Sequence, residues 1–297
     1  MSVIDKSVRQ PSQEEIVAIT VVPLSQHIGA EVRGVDLSKP LDGETSKKIY
    51  QLWLDHIVLL FRDQNLTQEQ LVDATRTFGR LAKLSRKPEF RPAGYAKLLD
   101  NIMLISNVRE NGVPIGALPD GEMQFHHDML HVEMPHKATC LYSIEVPSKG
   151  GNTLFANCYR AYETLPGEIK AQLESKRAYH SYTVGEQKRG DGKGVPQINR
   201  ASHPVVITHD ETGRKAIFVN RLMTEAIEGL QPAESKRLLE KVFDHSENPE
   251  WTYEHVWRPH DLLIWDNRCS MHARTDFPEG ERRLMLRTTI ECDRRPN

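Results

Sequence analysis

Two histidines and an aspartate have the residue types and the spacing of a metal site. His126 and Asp128 are separated by one residue, so in an extended strand the imidazole and the carboxylate share a face, whereas His127 points to the opposite face and is expected to be structural. His272, which follows a strand-like run and a polar turn, is the candidate third ligand. Two histidines and one carboxylate leave coordination positions of a bound metal ion open, as in the facial triad of non-haem Fe(II) oxygenases.

The same three ligands are compatible with other functions. A His-x-Asp pair arises often by chance, and a zinc ion with an open position for water uses similar ligands. A divalent-metal hydrolase or lyase is therefore the alternative, and it predicts no requirement for a keto acid. A catalytically silent binding protein is a further alternative, and it would be expected to have lost one of the ligands.

Two arginines lie close behind the candidate third ligand in the chain. Arg283 stands eleven residues after His272, and in a strand Arg283, Met285 and Arg287 share one face. An edge strand with solvated arginines would explain the pattern without any site. In a strand interior, however, guanidinium groups are costly unless they meet carboxylates, which they bind through paired hydrogen bonds. Beside a metal triad, the arginines therefore indicate a dicarboxylate or keto-acid ligand.

The composition narrows the class of protein. The chain has 297 residues, with 39 Lys and Arg against 41 Asp and Glu, giving a formal charge of −2. This balance argues against a nucleic-acid partner, which requires a basic excess. No run of 18 apolar residues occurs, so no membrane span is expected. The four cysteines form no Cys-x-x-Cys pair, as is typical of a reduced cytoplasmic protein.

The elements that must position these residues are mainly strands. Residues 1–17 are polar and are expected to form a loose leader, followed by one domain over residues 18–297. Helices are predicted over 44–56, after a capping box at Thr67 and Gln70, from Leu165 to about Lys176, and over 232–248. Strands are predicted over 19–22, 56–61, 102–105, 137–145, 153–156, 205–208, 216–219, 261–265 and 284–290. This pattern predicts a mostly β fold with helical insertions.

Five stretches in order resemble the taurine dioxygenase and 2,4-dichlorophenoxyacetate dioxygenase family of Fe(II)- and 2-oxoglutarate-dependent oxygenases. They are Val22–Asp36, Phe125-His-His-Asp128, Gly150-Gly-Asn-Thr-Leu-Phe155, Trp265–His272 and the arginines of 282–287. The resemblance covers roughly residues 18–292. It implies a double-stranded β-helix, or jelly roll, which hydroxylates a C–H bond of a small, anionic organic substrate and releases succinate and CO₂.

The resemblance also implies a role for individual residues. His126, Asp128 and His272 correspond to the Fe(II) ligands, and Thr153 and Arg283 to the groups that hold the distal carboxylate of 2-oxoglutarate. Arg287 lies near the metal end in this family, where it meets the other carboxylate of the co-substrate or an anionic substrate. O₂ is the second co-substrate. The family often forms dimers or tetramers, so a homo-oligomer is expected.

The substrate side departs from the family pattern. After Asp128 the chain has Met129 and His131 where the family commonly has a small residue and an aromatic one, and the resemblance implies that both border the substrate pocket. His131 either contacts the substrate or makes a structural hydrogen bond. Asn107, after a strand in the long loop region 82–122, is a further candidate. Taurine dioxygenases grip the sulfonate with a histidine of this loop, and none occurs between His56 and His126, so taurine is not the expected substrate. An aryloxyalkanoate, another sulfonate or a carboxylate remains.

Overall fold

Strands dominate the part of the chain that the structure describes. The computed structural model describes residues 18–83, 94, 97–116, 122–184 and 197–297. Its strands are β1 (Thr20–Pro23), β2 (Ala30–Arg33), β3 (Val58–Phe61), β4 (Met103–Ser106), β5 (Arg109–Glu110), β6 (Val113–Pro114), β7 (Met123–His126), β8 (His136–Glu145), β9 (Thr153–Asn157), β10 (Arg177–Val184), β11 (Gln197–Pro204), β12 (Val206–Thr208), β13 (Lys215–Ile217), β14 (Thr224–Ile227), β15 (Thr252–His255), β16 (Leu262–Asp266), β17 (Ser270–Arg274) and β18 (Leu284–Glu291).

Two sheets carry the residues singled out by the sequence. The larger has the strand order β1-β2-β3-β16-β8-β18-β4, and the smaller has the order β15-β9-β17-β7. Three further groups, β11-β10-β14, β12-β13 and β5-β6, flank them. Two facing sheets joined by crossing connections are the jelly-roll arrangement, so the predicted double-stranded β-helix is confirmed.

The central strands β3 and β16 of the larger sheet are buried on both faces. In β3, Val58 and Leu60 pack in the core that also contains Phe155 of the smaller sheet, whereas Leu59 packs on the opposite face, in the core that contains Trp53 of the first helix. The alternation follows from the two-residue period of a strand. The face toward the smaller sheet is the one that carries the candidate site.

Helices cover the outer face and the ends of the sheets. They are α1 (Gly43–His56), α2 (Gln68–Arg76), α3 (Cys158–Thr164), α4 (Gly167–Leu173) and α5 (Pro232–Ser246), with a short 3₁₀ turn at Pro249–Trp251. The predicted capping box is present, because the Thr67 side chain accepts from the Gln70 amide and the Gln70 side chain accepts from the Thr67 amide. Within the described ranges, no helix is long and apolar enough to cross a membrane.

Most predicted elements are present, although strands β10, β11, β14, β15 and β17 were not predicted and the helices differ in two places. The helix predicted from Leu165 begins only at Gly167, because Pro166 supplies its N-cap, and it ends at Leu173. The helix α3 was not predicted, and the side chain of Asn157 caps it by accepting from two backbone N–H groups. The leader at 1–17 lies outside the described residues, so the division into a leader and one domain stays a prediction.

Candidate active site

The three predicted metal ligands meet on the smaller sheet. His126 ends β7 and is the register partner of His272 in β17, with ring centroids 4.1 Å apart. One ligand atom each from His126, Asp128 and His272 lie within 4.8 Å of one another. Trp265 packs 4.7 Å from the ring of His272 and restricts its orientation. The arrangement therefore offers two nitrogens and one oxygen to a single ion.

Asp128 reaches this point by a route that the strand pattern did not predict. The strand ends at His126, and Asp128 lies in the turn that follows. Met129 has a φ of 61°, a left-handed conformation that is uncommon for a residue with a side chain. Asp128 is thus placed by a turn rather than by the two-residue period of an extended strand. His127 is buried on the other side, where the Asn220 amide lies 3.2 Å from its Nδ1, in keeping with its expected structural role.

The protonation states of the three residues suit a cation. Burial lowers the pKa of His126 and lowers that of His272 well below its usual range, so both imidazoles are neutral at pH 7. Burial alone would raise the pKa of Asp128, but Arg287 and the two histidines outweigh it and hold that pKa well below its usual range. Neutral imidazoles and an ionised carboxylate are the forms that bind metal ions.

Hydrogen bonds also fit a metal at this place. Nδ1 of His126 lies 2.9 Å from the Gln124 carbonyl oxygen, which fixes the tautomer and leaves Nε2 as the free nitrogen. Nδ1 of His272 is buried and has no hydrogen-bond partner among the described residues. A buried polar atom without a partner is costly, and an ion bound between the three side chains would reduce that cost. The donor set is therefore suited to a divalent metal such as Fe(II).

A second cluster of possible metal ligands differs from the first, because its groups are already hydrogen-bonded to one another and to their neighbours. One ligand atom each from His209, Asp266 and Cys269 lie within 4.8 Å of one another. The Asp266 carboxylate, however, already accepts two hydrogen bonds from Arg268, at 2.9 and 2.6 Å, and one from His209 at 3.1 Å. Burial raises the pKa of the Cys269 thiol well above its usual range, so the thiol stays protonated. The cluster is a satisfied hydrogen-bond network.

A buried cation lies at the other end of the site. Arg283 immediately precedes β18, is 2% exposed and forms its one described side-chain hydrogen bond with the Gly151 carbonyl oxygen, at 3.3 Å. No carboxylate among the described residues pairs with it. Burial lowers its pKa to about 9, with a further decrease from Arg274, so it is still cationic at pH 7. A buried, unpaired guanidinium is a receptor for an anion.

Thr153 is held in a form that donates. The indole N–H of Trp257 donates to Thr153 Oγ1 at 3.0 Å. A hydroxyl that accepts from an indole keeps its own proton for another acceptor. Gly150 and Gly151 form a turn that packs closely against the segment at Asp276, because a Cβ at Gly150 would lie 2.3 Å from the Asp276 carbonyl oxygen. This turn brings Thr153 and Arg283 to the same end of the sheets.

Asn107, a predicted substrate contact, makes two hydrogen bonds to the segment that carries Arg283. Its contact with a substrate stays a prediction. Its Nδ2 donates to the Glu281 carbonyl oxygen at 2.8 Å, and its Oδ1 accepts from the Arg283 amide at 2.9 Å. Both ends of the amide are therefore committed to the segment that carries Arg283. These contacts favour a structural role, in which Asn107 fixes the backbone of Arg283.

Arg287 lies at the metal end on the face that the strand pattern predicted. Its Nη1 donates to Asp128 Oδ1 at 3.3 Å and its Nη2 is 3.1 Å from Met103 Sδ, whereas its Nε is buried without a partner in the described part of the chain. Its side chain is 20% exposed. A charge with an open donor at the edge of the site can receive an anionic group.

Two histidines share this region with Arg287. His131 is 4% exposed, lies 5.6 Å from the Tyr182 ring and has a buried Nδ1 without a partner among the described residues. His136, which no sequence pattern singled out, also has a buried Nδ1 without a partner within those residues. Burial lowers the pKa of His136 to about 4, with Asp128, Arg287 and His131 as its charged neighbours. Met129 is half-buried beside the metal ligands.

Part of the predicted substrate region lies outside the described residues. The basic residues Arg86, Lys87 and Arg91 of the loop region 82–122 lie in this part, outside the described residues. Lys97 is described, and its carbonyl oxygen accepts from the Gln68 side chain on the outer surface. The loop's contribution to substrate binding stays a prediction.

Comparison with known proteins identifies a family. The model of the taurine catabolism dioxygenase TauD, TfdA family matches residues 20–289. The chain is 33% identical to the (S)-phenoxypropionate/alpha-ketoglutarate-dioxygenase of Sphingobium herbicidovorans, covering 93% of this chain and 96% of that protein. It is also 33% identical to pentalenolactone F synthase of Streptomyces avermitilis, covering 93% and 94%.

A solved structure agrees with the sequence matches. The structure of AAD-2 in complex with Mn(II) and N-oxalylglycine superimposes with a TM-score of 0.79 at 26% identity, covering 94% of this chain and 99% of the other. That protein was therefore captured with a divalent metal and a small organic ligand in the same fold.

Proposed function

We propose that this chain, which belongs to the TauD/TfdA family and is a 2-oxoglutarate-dependent dioxygenase, binds Fe(II) through His126, Asp128 and His272 and hydroxylates a small organic acid. Bound there, Fe(II) with 2-oxoglutarate and O₂ supplies the oxidation that converts a substrate C–H bond to C–OH and yields succinate and CO₂. The protein itself binds and orients the metal, the co-substrate and the substrate, and it excludes water from the site.

The observation that carries the proposal is the buried, unpaired guanidinium of Arg283 at one end of the site. With the Thr153 hydroxyl beside it, this group would bind the distal carboxylate of 2-oxoglutarate and turn its keto-acid end toward the three metal ligands. The alternative, a divalent-metal hydrolase or lyase, gives Arg283 no role and is not favoured by the family assignment.

We propose an aryloxyalkanoate-like acid as the substrate class. The support is the open Nε of Arg287 together with the unpaired imidazole nitrogens of His131 and His136, which give the metal end donors for one carboxylate. Tyr182 and the His131 ring offer flat surfaces for an aromatic group. One of the similar proteins is named for phenoxypropionate, an acid of this class.

The test is succinate release with Fe(II), ascorbate, 2-oxoglutarate and O₂. We expect 2-phenoxypropionate to support turnover and its neutral amide, which has the same shape, to support little. Equal rates for acid and amide, or turnover of taurine in preference to both, would overturn the substrate assignment.

Variants test the metal assignment separately. His126→Ala and Asp128→Ala should abolish both Fe(II) retention and succinate release, because each removes one of three ligands. His245→Ala is the control, since His245 lies outside the site and contacts the Thr164 hydroxyl at 3.0 Å. Full activity in both ligand variants would refute the triad.

We propose two further properties of the protein. All four cysteines are free thiols, which supports a reduced, cytoplasmic environment. The resemblance to the family supports a homo-oligomer, a dimer or a tetramer, and light scattering on the purified protein would measure it.

A further inference from the structure

A chain of three hydrogen bonds leads from the core to the Asp128 carboxylate. The Trp265 indole N–H donates to Asn267 Oδ1 at 2.9 Å, Asn267 Nδ2 donates to Thr139 Oγ1 at 3.0 Å, and Thr139 Oγ1 donates to Asp128 Oδ2 at 2.5 Å. The four side chains are between 0 and 5% exposed. Water does not compete with these bonds, so each contributes more to orientation than a surface bond would.

The chemistry of the groups fixes the direction of the chain. An indole nitrogen only donates, so it must face the Asn267 oxygen, and the Asn267 amide nitrogen must then face Thr139. An amide nitrogen also only donates, so Thr139 Oγ1 is its acceptor. The single proton of the Thr139 hydroxyl is therefore committed to Asp128. The orientation of the Asn267 amide follows from these hydrogen bonds.

The fold explains why such a chain is needed. Thr139 in β8 and Trp265 in β16 are register partners on adjacent strands of the larger sheet, facing the site. Asp128, by contrast, lies beyond the end of β7 in a turn whose next residue has a φ of 61°. Asp128 is not paired with a neighbouring strand through its backbone, so the orientation of its carboxylate depends on side-chain contacts. One oxygen meets Thr139 and the other meets Arg287 at 3.3 Å.

We propose that Thr139, held by Asn267 and Trp265, is a positioning residue that occupies one oxygen of Asp128 and presents the other to the metal. The inference rests on the proposed function, in which Asp128 is a metal ligand. A carboxylate restrained in this way binds through a single oxygen, which leaves room for a chelating co-substrate. Loss of a hydrogen bond of this kind to a metal ligand typically weakens metal binding by about 10- to 100-fold.

The experiment measures the dissociation constant of Mn(II), without 2-oxoglutarate, by calorimetry at a temperature where every variant is folded. Thr139→Val keeps the shape and removes the donor, and we expect Mn(II) to bind about 10- to 100-fold more weakly. Thr139→Ser keeps the donor and should bind within about threefold of the wild type. Thr75→Val is the matched control, because Thr75 is 1% exposed and hydrogen-bonded to the Leu71 carbonyl, away from the metal. The Thr75→Val variant should be less stable than the wild type but should bind Mn(II) with the same affinity.

The outcomes separate this inference from the proposed function. Wild-type Mn(II) affinity in Thr139→Val, with loss of binding in Asp128→Ala, would refute the positioning role alone. Wild-type affinity in Asp128→Ala would refute the metal site itself. Should Thr139→Val not fold, Trp265→Phe removes only the first donor and keeps an aromatic ring against His272. An unchanged Mn(II) affinity in Trp265→Phe would also count against the proposed series of hydrogen bonds.

Discussion

Replacing Arg283 by methionine should affect the free protein and its complex in opposite directions. Methionine keeps most of the length of the side chain and removes the charge. In the free protein, Arg283 is a 2% exposed cation without a described carboxylate partner, so its desolvation is uncompensated. Transfer of an ion into a protein interior costs several kcal/mol. The substitution also loses the bond to the Gly151 carbonyl oxygen, worth about 1 kcal/mol. The metal-free variant should therefore be as stable as the wild type or more stable.

The complex should be weakened strongly. Truncating one partner of a buried, hydrogen-bonded charge pair costs about 2–5 kcal/mol. Since about 1.4 kcal/mol corresponds to a tenfold change in a dissociation constant, 2-oxoglutarate should bind roughly 30- to several-thousand-fold more weakly. Mn(II) affinity should change little, because Arg283 lies at the opposite end of the site from the three ligands.

Two measurements test these expectations. Calorimetric titration of 2-oxoglutarate into the Mn(II)-loaded protein gives the affinity, and urea unfolding of the metal-free protein gives the stability. In the Mn(II)-loaded wild type, 2-oxoglutarate at 100 times its dissociation constant should add about 2.7 kcal/mol of stability to urea unfolding, and the Mn(II)-loaded variant should gain almost none at that concentration.

The adjacent arginine is the control. Arg282 is exposed and pairs with Glu145 at 2.5 Å, so Arg282→Met should alter neither measurement appreciably. A fall in affinity of tenfold or less for Arg283→Met, or a large loss of stability in the metal-free protein, would refute the argument that Arg283 is an unpaired receptor for the co-substrate.

Two further predictions concern backbone strain and pH. Gly213→Ala should cost about 1 kcal/mol, for its left-handed φ alone, since a Cβ there meets nothing within 4 Å, whereas at Gly150 it would lie 2.3 Å from the Asp276 carbonyl oxygen. Gly150→Ala should therefore cost clearly more and weaken 2-oxoglutarate binding, and equal losses in urea unfolding would contradict this. Burial lowers the pKa of His127 to about 3 and of His136 to about 4, so the unfolded chain binds more protons than the folded one below about pH 6.5. The Tm of the metal-free protein should fall from pH 6.5 to 4, and a flat profile would show that these histidines are not buried in neutral form.

The sequence predicted the parts of the site that depend on a regular period. Met285 and Arg287 share a face of β18, as the two-residue spacing requires, whereas Arg283 lies just before the strand. Met285 packs in the core between the sheets. His272 was found because a strand and a turn precede it. The capping box at Thr67 was found because its residue types are specific.

The parts that were missed depend on contacts between distant segments. Thr139 lies in an apolar strand where a threonine is unremarkable, and only the pairing of β8 with β16 brings it to Asn267 and Asp128. Nothing local shows that the Asn107 amide bonds to residues more than 170 positions away, and the substrate contact predicted for Asn107 stays a prediction. Side-chain partners of this kind are set by topology, which no local spacing encodes.

Charge balance links these observations to the choice of substrate. In the candidate site, Asp128 contributes one negative charge, and Arg283 and Arg287 contribute one positive charge each, while His126 and His272 are neutral. A divalent metal and the dianion of 2-oxoglutarate cancel each other, so the loaded site keeps one positive charge. Buried charges are tolerated when they are paired. A substrate with a single carboxylate would pair with the open donor of Arg287 and neutralise the site, whereas a neutral substrate would leave Arg287 with only its 3.3 Å contact to Asp128. The preference for an acid over its amide therefore follows from the charges of the protein as well as from the likeness to a phenoxypropionate enzyme.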